Sequence, residues 1–297
     1  MTSTATGTTK TPQSRSDGPK SPTLQVPANS CDCHIHIYDN RFPAPGGPAP
    51  SNFPVAAYRL VQKRIGTTRT VVVSPRPYVT DHRCTLDAIS QLGPAVTRGI
   101  AVVHPDVTDS ELRRLADAGI RGIRFTVGNP AAAVTTIDMI EPLAKRVNDL
   151  GWHVQIHMEA DQIVANADLL QRLVSPMVID HMGRLPQPAG VKHPAFQVIR
   201  RLLDKGRTWV KLSGARLRSS GTGVPTYTEL TEIAQAYVRA APERMVWGTD
   251  WPHGGEKEKP DDGMLLDLLA QWAQDEPTVH RILVDNPEAL YGFPKSV

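Results

Sequence analysis

Two segments more than two hundred residues apart constrain this chain most: Cys31-Asp32-Cys33-His34-Ile35-His36 near its start and Met245-Val246-Trp247-Gly248-Thr249-Asp250-Trp251-Pro252-His253 near its end. The first reads as a short apolar strand. Side chains alternate faces along a strand, so His34 and His36 point the same way. Asp250 follows another apolar, strand-like run. A histidine pair on a first strand and an aspartate after a last strand become neighbours only if the sheet closes on itself. Closure of that kind assembles a metal-assisted hydrolase site on the rim of a barrel.

The run of elements between them agrees. Strand candidates fall at 31–37, 70–74, 98–103, 121–126, 152–158, 176–181, 208–213 and 244–249. Helical patterns fall at about 55–66, 83–92, 109–118, 137–150, 161–173, 194–204, 227–240 and 262–273. Thr108 and Thr135-Thr136 stand where helix N-caps are expected, and Gly119, Gly151 and Gly206 where left-handed C-caps are expected. Strands alternating with helices imply a parallel sheet with helical crossovers. Eight units are the count for a (β/α)8 TIM barrel, an α/β fold with its active site at the C-terminal strand ends. An open doubly wound sheet would want a glycine-rich phosphate turn after strand 1. The chain instead has a Pro-rich loop over 38–54, expected to cover a substrate.

At 297 residues one barrel domain over 29–297 accounts for the chain. Residues 1–28, rich in Thr, Ser, Pro, Gly and Lys without an apolar core, read as a disordered arm and not a secretory signal. A net charge of +3 with no basic block excludes nucleic-acid binding as a leading class, and no apolar stretch is long enough to span a membrane. The three sparse cysteines, with Cys31 and Cys33 poorly placed for mutual bonding, predict a reducing, cytoplasmic setting.

The predicted strand ends carry chemistry. Strand 1 presents His34 and His36, strand 4 Arg124, strand 5 His157 and strand 6 His181 followed by Arg184. Strand 7 presents Lys211 and Ser213 followed by Arg216 and Arg218, and strand 8 presents Asp250 followed by His253. His82, His104, His193 and His280 fit ordinary hydrogen-bonded positions, and His153 belongs to the opposite rim. An arginine inside an apolar strand needs an anion, and for Arg124 a substrate carboxylate is the expected one. Arg216, Arg218, Arg76, Tyr78, Arg184 and His253 complete the expected substrate contacts.

With those residues in view the chain resembles the amidohydrolase 2 branch of the amidohydrolase superfamily, and within it the lactonases and lactone isomerases. The resemblance runs from about residue 29 to 293 and rests on the His-x-His segment, Arg121-Gly122-Ile123-Arg124-Phe125, Val178-Ile179-Asp180-His181-Met182-Gly183-Arg184 and Val246 to His253. It implies hydrolysis of a small anionic lactone of muconolactone, sulfomuconolactone or pyrone-carboxylate type in aromatic-compound catabolism. Metal-free lactonases of the branch carry a tyrosine at the strand-5 place. His157 in that place likens the chain to metal-using members, which hold one divalent ion, typically Zn²⁺. The implied ligands are His34, His36, His157 and Asp250, a set that suits a catalytic zinc with an open position. Asp250 is also the implied acid/base, and His181 the residue acting on water or substrate. Arg124 stands where binuclear relatives have a carboxylated lysine, which implies a single ion. The same scaffold supports a metal-dependent decarboxylase, or a metal-free lactonase or isomerase, as rival activities. A non-catalytic anion binder would have no use for the proton acceptor.

Overall fold

Eight parallel strands run in chain order around the sheet: β1 (Cys31–Ile35), β2 (Arg69–Val73), β3 (Thr97–Ala101), β4 (Ile120–Thr126), β5 (His153–His157), β6 (Met177–Ile179), β7 (Thr208–Leu212) and β8 (Met245–Trp247). This is a computed structural model, and it describes residues 21–47, 51–129, 133–214, 227–254 and 259–295. Arg216 and Arg218 therefore lie outside the described residues. The crossovers are α1 (Val55–Ile65), α2 (Arg83–Leu92), α3 (Asp109–Asp117), α4 (Ile140–Asn148), α5 (Ala160–Ala165), α6 (Ala167–Arg172), α7 (Pro194–Asp204) and α8 (Thr228–Ala240). After β8 come α9 (Asp262–Ala273), α10 (Glu276–His280) and α11 (Asn286–Tyr291). The architecture is a (β/α)8 TIM barrel, as the strand count predicts. No described helix is long and apolar enough to cross a membrane.

Closure happens just beyond the last strand. Ile35 pairs in parallel with Trp251. The Asp250 N–H donates to the His34 carbonyl at 2.9 Å, and the His36 N–H to the Trp251 carbonyl at 2.7 Å. The buried Asp32 carboxylate reinforces the seam. Its Oδ1 accepts from the N–H groups of Thr249 and His34, and its Oδ2 from the Thr249 hydroxyl at 2.7 Å and the Tyr58 hydroxyl at 3.2 Å. Gly248 is the point of closest approach. A Cβ built there would lie 2.7 Å from both the backbone nitrogen and the Cβ of His34.

A bulge in β1 decides which of its side chains face inward. Asp32 pairs with Thr70 and Ile35 with Val72, so three steps on β1 match two on β2. The extra residue reverses the alternation. Cys31 and Cys33 pack with the inward Val71, Val73, Ile100 and Trp209, whereas Ile35 joins the helix-facing core with Val72. His34 and His36 consequently turn inward, and Asp32, which shares their parity in sequence, turns out towards α1. The barrel floor is filled by Tyr291 and Phe293 from the C-terminal segment. The guanidinium of Arg98 lies 4.6 Å from the Phe293 ring centre, and that of Arg69 lies 5.4 Å away.

Several expectations are refined. Strands β6 and β8 are shorter than the apolar runs suggest, because the chain turns sharply as soon as it reaches the rim. The pattern over 161–173 is two helices joined at Asn166. The helices α10 and α11 were not expected. The arm assigned to 1–28 has a docked end: the N–H groups of Thr23 and Leu24 both donate to Asp267 of α9. Thr108 caps α3 by accepting from the Glu111 N–H, whereas Thr135 instead accepts from the Thr126 N–H of β4. All three cysteines are free and buried.

Gly248→Ala should destabilise the fold by about 1–3 kcal/mol, because the new methyl meets backbone as well as side chain. Urea unfolding of the variant checks this, and an unchanged midpoint would contradict the close approach.

Candidate active site

The C-terminal rim gathers most of the expected residues. His34 Nε2 lies 3.3 Å from His36 Nε2. Asp250 Oδ1 is 3.5 Å from His34 Nε2, 3.6 Å from His36 Nε2 and 3.9 Å from His181 Nε2. Each imidazole has a fixed orientation. His36 Nδ1 is 2.8 Å from the Val73 carbonyl, which can only accept, so Nδ1 carries the proton and Nε2 presents a lone pair. His181 Nδ1 is 2.8 Å from the Ser213 hydroxyl. Burial, together with the cationic Arg124 and Lys211, holds His34 well below its usual range and His36 down to about 3. Burial likewise lowers His181, with the Asp180 carboxylate opposing and the neighbouring His157 and Arg124 adding to the effect. The imidazoles are therefore neutral at physiological pH. Burial pushes the Asp250 carboxyl up to about 7, with His253 and Arg124 opposing the rise.

The donor set fits a divalent cation. His34, His36 and Asp250 bring one ligand atom each within a radius that a single ion would bridge. Two imidazoles and a carboxylate converging at one point are the chemistry of a zinc-type site. The fourth expected ligand stands apart. His157 Nε2 is 3.2 Å from Arg184 Nη1, a group that can only donate, so its lone pair is already engaged. Its ring packs edge-on against His181 at 5.3 Å between centres. Among the described residues the converging set is His34, His36 and Asp250, and His157 lies outside it with its Nε2 beside Arg184.

Arg124 also differs from expectation. Its Nε donates to Asp180 Oδ2 at 2.9 Å, so a protein carboxylate already faces it. Only Nε is used. Among the described residues neither Nη nitrogen has a hydrogen-bond partner, and neither is a sealed, unsatisfied atom. The side chain faces the pocket, since its charge acts on Asp250, His36 and Tyr38. Asp180 was not anticipated as part of the site. It also accepts from Gln155 Nε2 at 3.0 Å, and its other oxygen is 3.6 Å from both His34 Nδ1 and Lys211 Nζ. Burial alone would raise this carboxyl, but Arg124 and Lys211 outweigh it and hold it ionised. The fully buried Lys211 ammonium donates to Gln155 Oε1 at 2.9 Å.

The remaining expected contacts divide. Tyr78 is a brace: its hydroxyl accepts from the Asp39 N–H and donates to the Asp39 carbonyl. Arg76 is exposed and donates to the Gly46 carbonyl at 3.3 Å. Arg184 is tied to Glu159 at 2.8 Å as well as to His157. His253 Nε2 is 2.8 Å from the buried Asp262 carboxylate, which makes it a support beneath Asp250. Tyr38 is the residue the sequence reading missed. Its buried ring stands 6.3 Å from that of His36, and burial with the nearby Asp250 charge keeps its hydroxyl protonated. Its position one strand step beyond His36 was the available signal. His82, His104 and His193 hold ordinary structural hydrogen bonds, as expected.

The backbone at this rim is unusual. His181, Met182, Gly183 and Arg184 all have positive φ, at 50°, 54°, 71° and 52°, and Asp250 and His253 do too, at 68° and 58°. Left-handed conformations cost non-glycine residues about 1–2 kcal/mol each. Such strain persists where surrounding structure enforces it, and it clusters at functional sites.

Comparison with known proteins points the same way. The family model described as amidohydrolase matches residues 31–293. The chain is 36% identical to a 4-sulfomuconolactone hydrolase of Rhizobium radiobacter, over 90% of this chain and 91% of that protein. It is 34% identical to a 2-pyrone-4,6-dicarboxylate hydrolase of Comamonas testosteroni, over 94% and 95% respectively. A crystal structure of an Agrobacterium tumefaciens protein in its apo form superposes with a TM-score of 0.86 at 26% identity, covering 93% of this chain and all of that one.

The site geometry separates ligands from neighbours. His34→Asn and His36→Asn should each lose Zn²⁺ after desalting, whereas His157→Asn should retain it near the native level. Elemental analysis of the three variants decides, and loss from His157→Asn equal to that from His34→Asn would return His157 to the ligand set.

Proposed function

The chain belongs to the amidohydrolase family, and from that premise we propose that it hydrolyses a small anionic lactone with one divalent metal, Zn²⁺, at the rim formed by His34, His36, His181 and Asp250. The observation that carries the proposal is the convergence of the Asp250 carboxylate on three neutral imidazoles within 3.5–3.9 Å. A metal held by His34, His36 and Asp250 would polarise the lactone carbonyl and acidify water there.

The chain's own residues do the rest. Asp250, raised towards neutrality by burial, accepts the proton of the attacking water. The bond between the carbonyl carbon and the ring oxygen breaks. Asp250 then returns the proton to that oxygen, so one water is consumed and an open-chain acid leaves. Ser213 Oγ lies 2.8 Å from His181 Nδ1, and in the tautomer where the hydroxyl donates there, His181 Nε2 carries a proton for the developing oxyanion. The unpartnered Nη edge of Arg124 receives the substrate's carboxylate or sulfonate. The relatives' names supply the two leading substrates, 4-sulfomuconolactone and 2-pyrone-4,6-dicarboxylate, both anionic lactones.

The test is turnover of each lactone by the purified protein, with acid release, CO₂ and isomerised lactone measured together. One equivalent of acid per lactone without CO₂ is expected. Release of CO₂, or an isomer in place of acid, would replace hydrolysis by the rival chemistry, and full activity after thorough chelation would remove the metal from the proposal. Asp250→Asn should lower kcat by about 10²–10⁴-fold. Arg124→Met should cost about 2–4 kcal/mol in kcat/KM for the anionic lactone. Wild-type kcat/KM in Arg124→Met would leave Arg124 as a purely internal partner of Asp180.

A further inference from the structure

We propose that Tyr38 is a specificity-determining residue: its hydroxyl and the Nη edge of Arg124 bind the same anionic group of the substrate, so that the site selects lactones carrying a carboxylate or sulfonate. The inference rests on the reading of this rim as the catalytic site, and it names the second contact by which that site tells an anionic lactone from an uncharged one.

Tyr38 stands two residues after His36, where the chain leaves β1. Its backbone is tied to Phe53 by two hydrogen bonds. The Tyr38 N–H donates to the Phe53 carbonyl at 3.1 Å, and the Phe53 N–H donates back to the Tyr38 carbonyl at 2.6 Å. Phe53 in turn packs edge-on against Trp251, at 5.7 Å between ring centres. The phenol ring itself lies 6.3 Å from His36 and 6.5 Å from Tyr78. The side chain is thus held in place before any substrate arrives, and a contact it makes loses little entropy.

Its hydroxyl is unspent. Buried phenols usually find a hydrogen-bond partner. Tyr58, Tyr78 and Tyr237 do so, donating to Asp32, the Asp39 carbonyl and the Met182 carbonyl. Among the described residues the Tyr38 hydroxyl has no such partner, and it is not a sealed, unsatisfied atom either. It therefore opens to the pocket. The charges of Asp250, Arg124 and Arg76 all act on it, which sets it in the same space as the acid/base and the anion-binding guanidinium. The hydroxyl and the Arg124 Nη edge are two donors with no bond between them. Two donors facing one space are complementary to an acceptor placed between them, and an anionic group offers oxygens to both. The hydroxyl adds direction without adding charge. A substrate lacking the anionic group would leave both donors unmet, and a site built to hydrogen-bond its substrate rejects such an analogue strongly.

Tyr38→Phe removes the oxygen and keeps the ring. Native protein, Tyr38→Phe, Arg124→Met and the double variant are compared on 4-sulfomuconolactone, on 2-pyrone-4,6-dicarboxylate and on the uncharged dimethyl ester of the latter. Tyr38→Phe should unfold at the native midpoint, because its hydroxyl has no internal partner to lose. A lowered midpoint would reveal such a partner and overturn the inference. KM for the anionic lactones should rise by about ten- to a hundredfold, the scale of one hydrogen bond to a charged group, with kcat far less affected. The preference for the dicarboxylate over its dimethyl ester, as a ratio of kcat/KM, should fall by a similar factor. The double variant should lose less than the product of the two single losses, since both residues hold one group. A fall in kcat at unchanged KM, or an equal loss on the ester, would make Tyr38 part of the reacting machinery and overturn the assignment. Fully multiplicative losses would place Tyr38 and Arg124 on different groups and overturn it too. A native protein that opens neither anionic lactone removes the functional reading. One that opens either of them, with Tyr38→Phe behaving as native, removes this inference alone.

Discussion

The seam between the first and last strands is the interaction on which everything else depends. Two backbone hydrogen bonds, Asp250 to His34 and His36 to Trp251, join residues that lie more than two hundred positions apart in the chain. The Asp32 carboxylate behind them satisfies four donors at once. Burial raises that carboxyl to about 6 even though its bonds from Thr249 and His34 favour the ionised form, a measure of how dry the seam is. Without this closure the sheet would be an open ribbon, with His34 at one edge and Asp250 at the other. The approach needs a residue without a side chain at position 248, so the glycine is as much part of the site as the histidines are.

Inside the closed sheet, polarity is layered. Apolar side chains and the C-terminal Tyr291 and Phe293 fill the lower barrel. Arg124, Gln155, Asp180 and Lys211 form a charged middle layer tied together by the Asp180 carboxylate and the Gln155 amide. The imidazoles and Asp250 stand above it. The middle layer converts a hydrophobic core into a platform with fixed dipoles, and the reactive groups inherit their orientation from it.

Much of this was legible in the sequence, for definable reasons. Strand and helix periodicities are local, and the count of eight units determines closure. The His34–His36 pair and Asp250 followed from alternation plus closure. What was hidden depends on contacts that no local pattern encodes. The bulge in β1 turns Asp32 outward although it shares the parity of His34. Asp180 lies 56 residues from Arg124 in sequence, and only the β4 to β6 register makes them partners. His157 sits at the expected strand end, yet Arg184, arriving from the next strand's turn, captures its Nε2. Tyr78 looked like a pocket residue because its backbone position is right, but its hydroxyl is consumed by Asp39.

The left-handed turn over residues 181–184 has a mechanical consequence. A run of four such residues is a wound spring, and it is pinned at both ends. At one end Asp180 is anchored by Arg124 and Gln155, and at the other Arg184 is anchored by Glu159 and His157. His181 rides on the spring between the pins. Its aim at Asp250 is thus set by these four side chains at the ends of the turn together with the Ser213 hydroxyl at its Nδ1. Loosening either pin would let the backbone unwind towards ordinary geometry and swing the imidazole away. A barrel that looks modular, with each strand contributing its own residue, would then respond as a single tensioned frame.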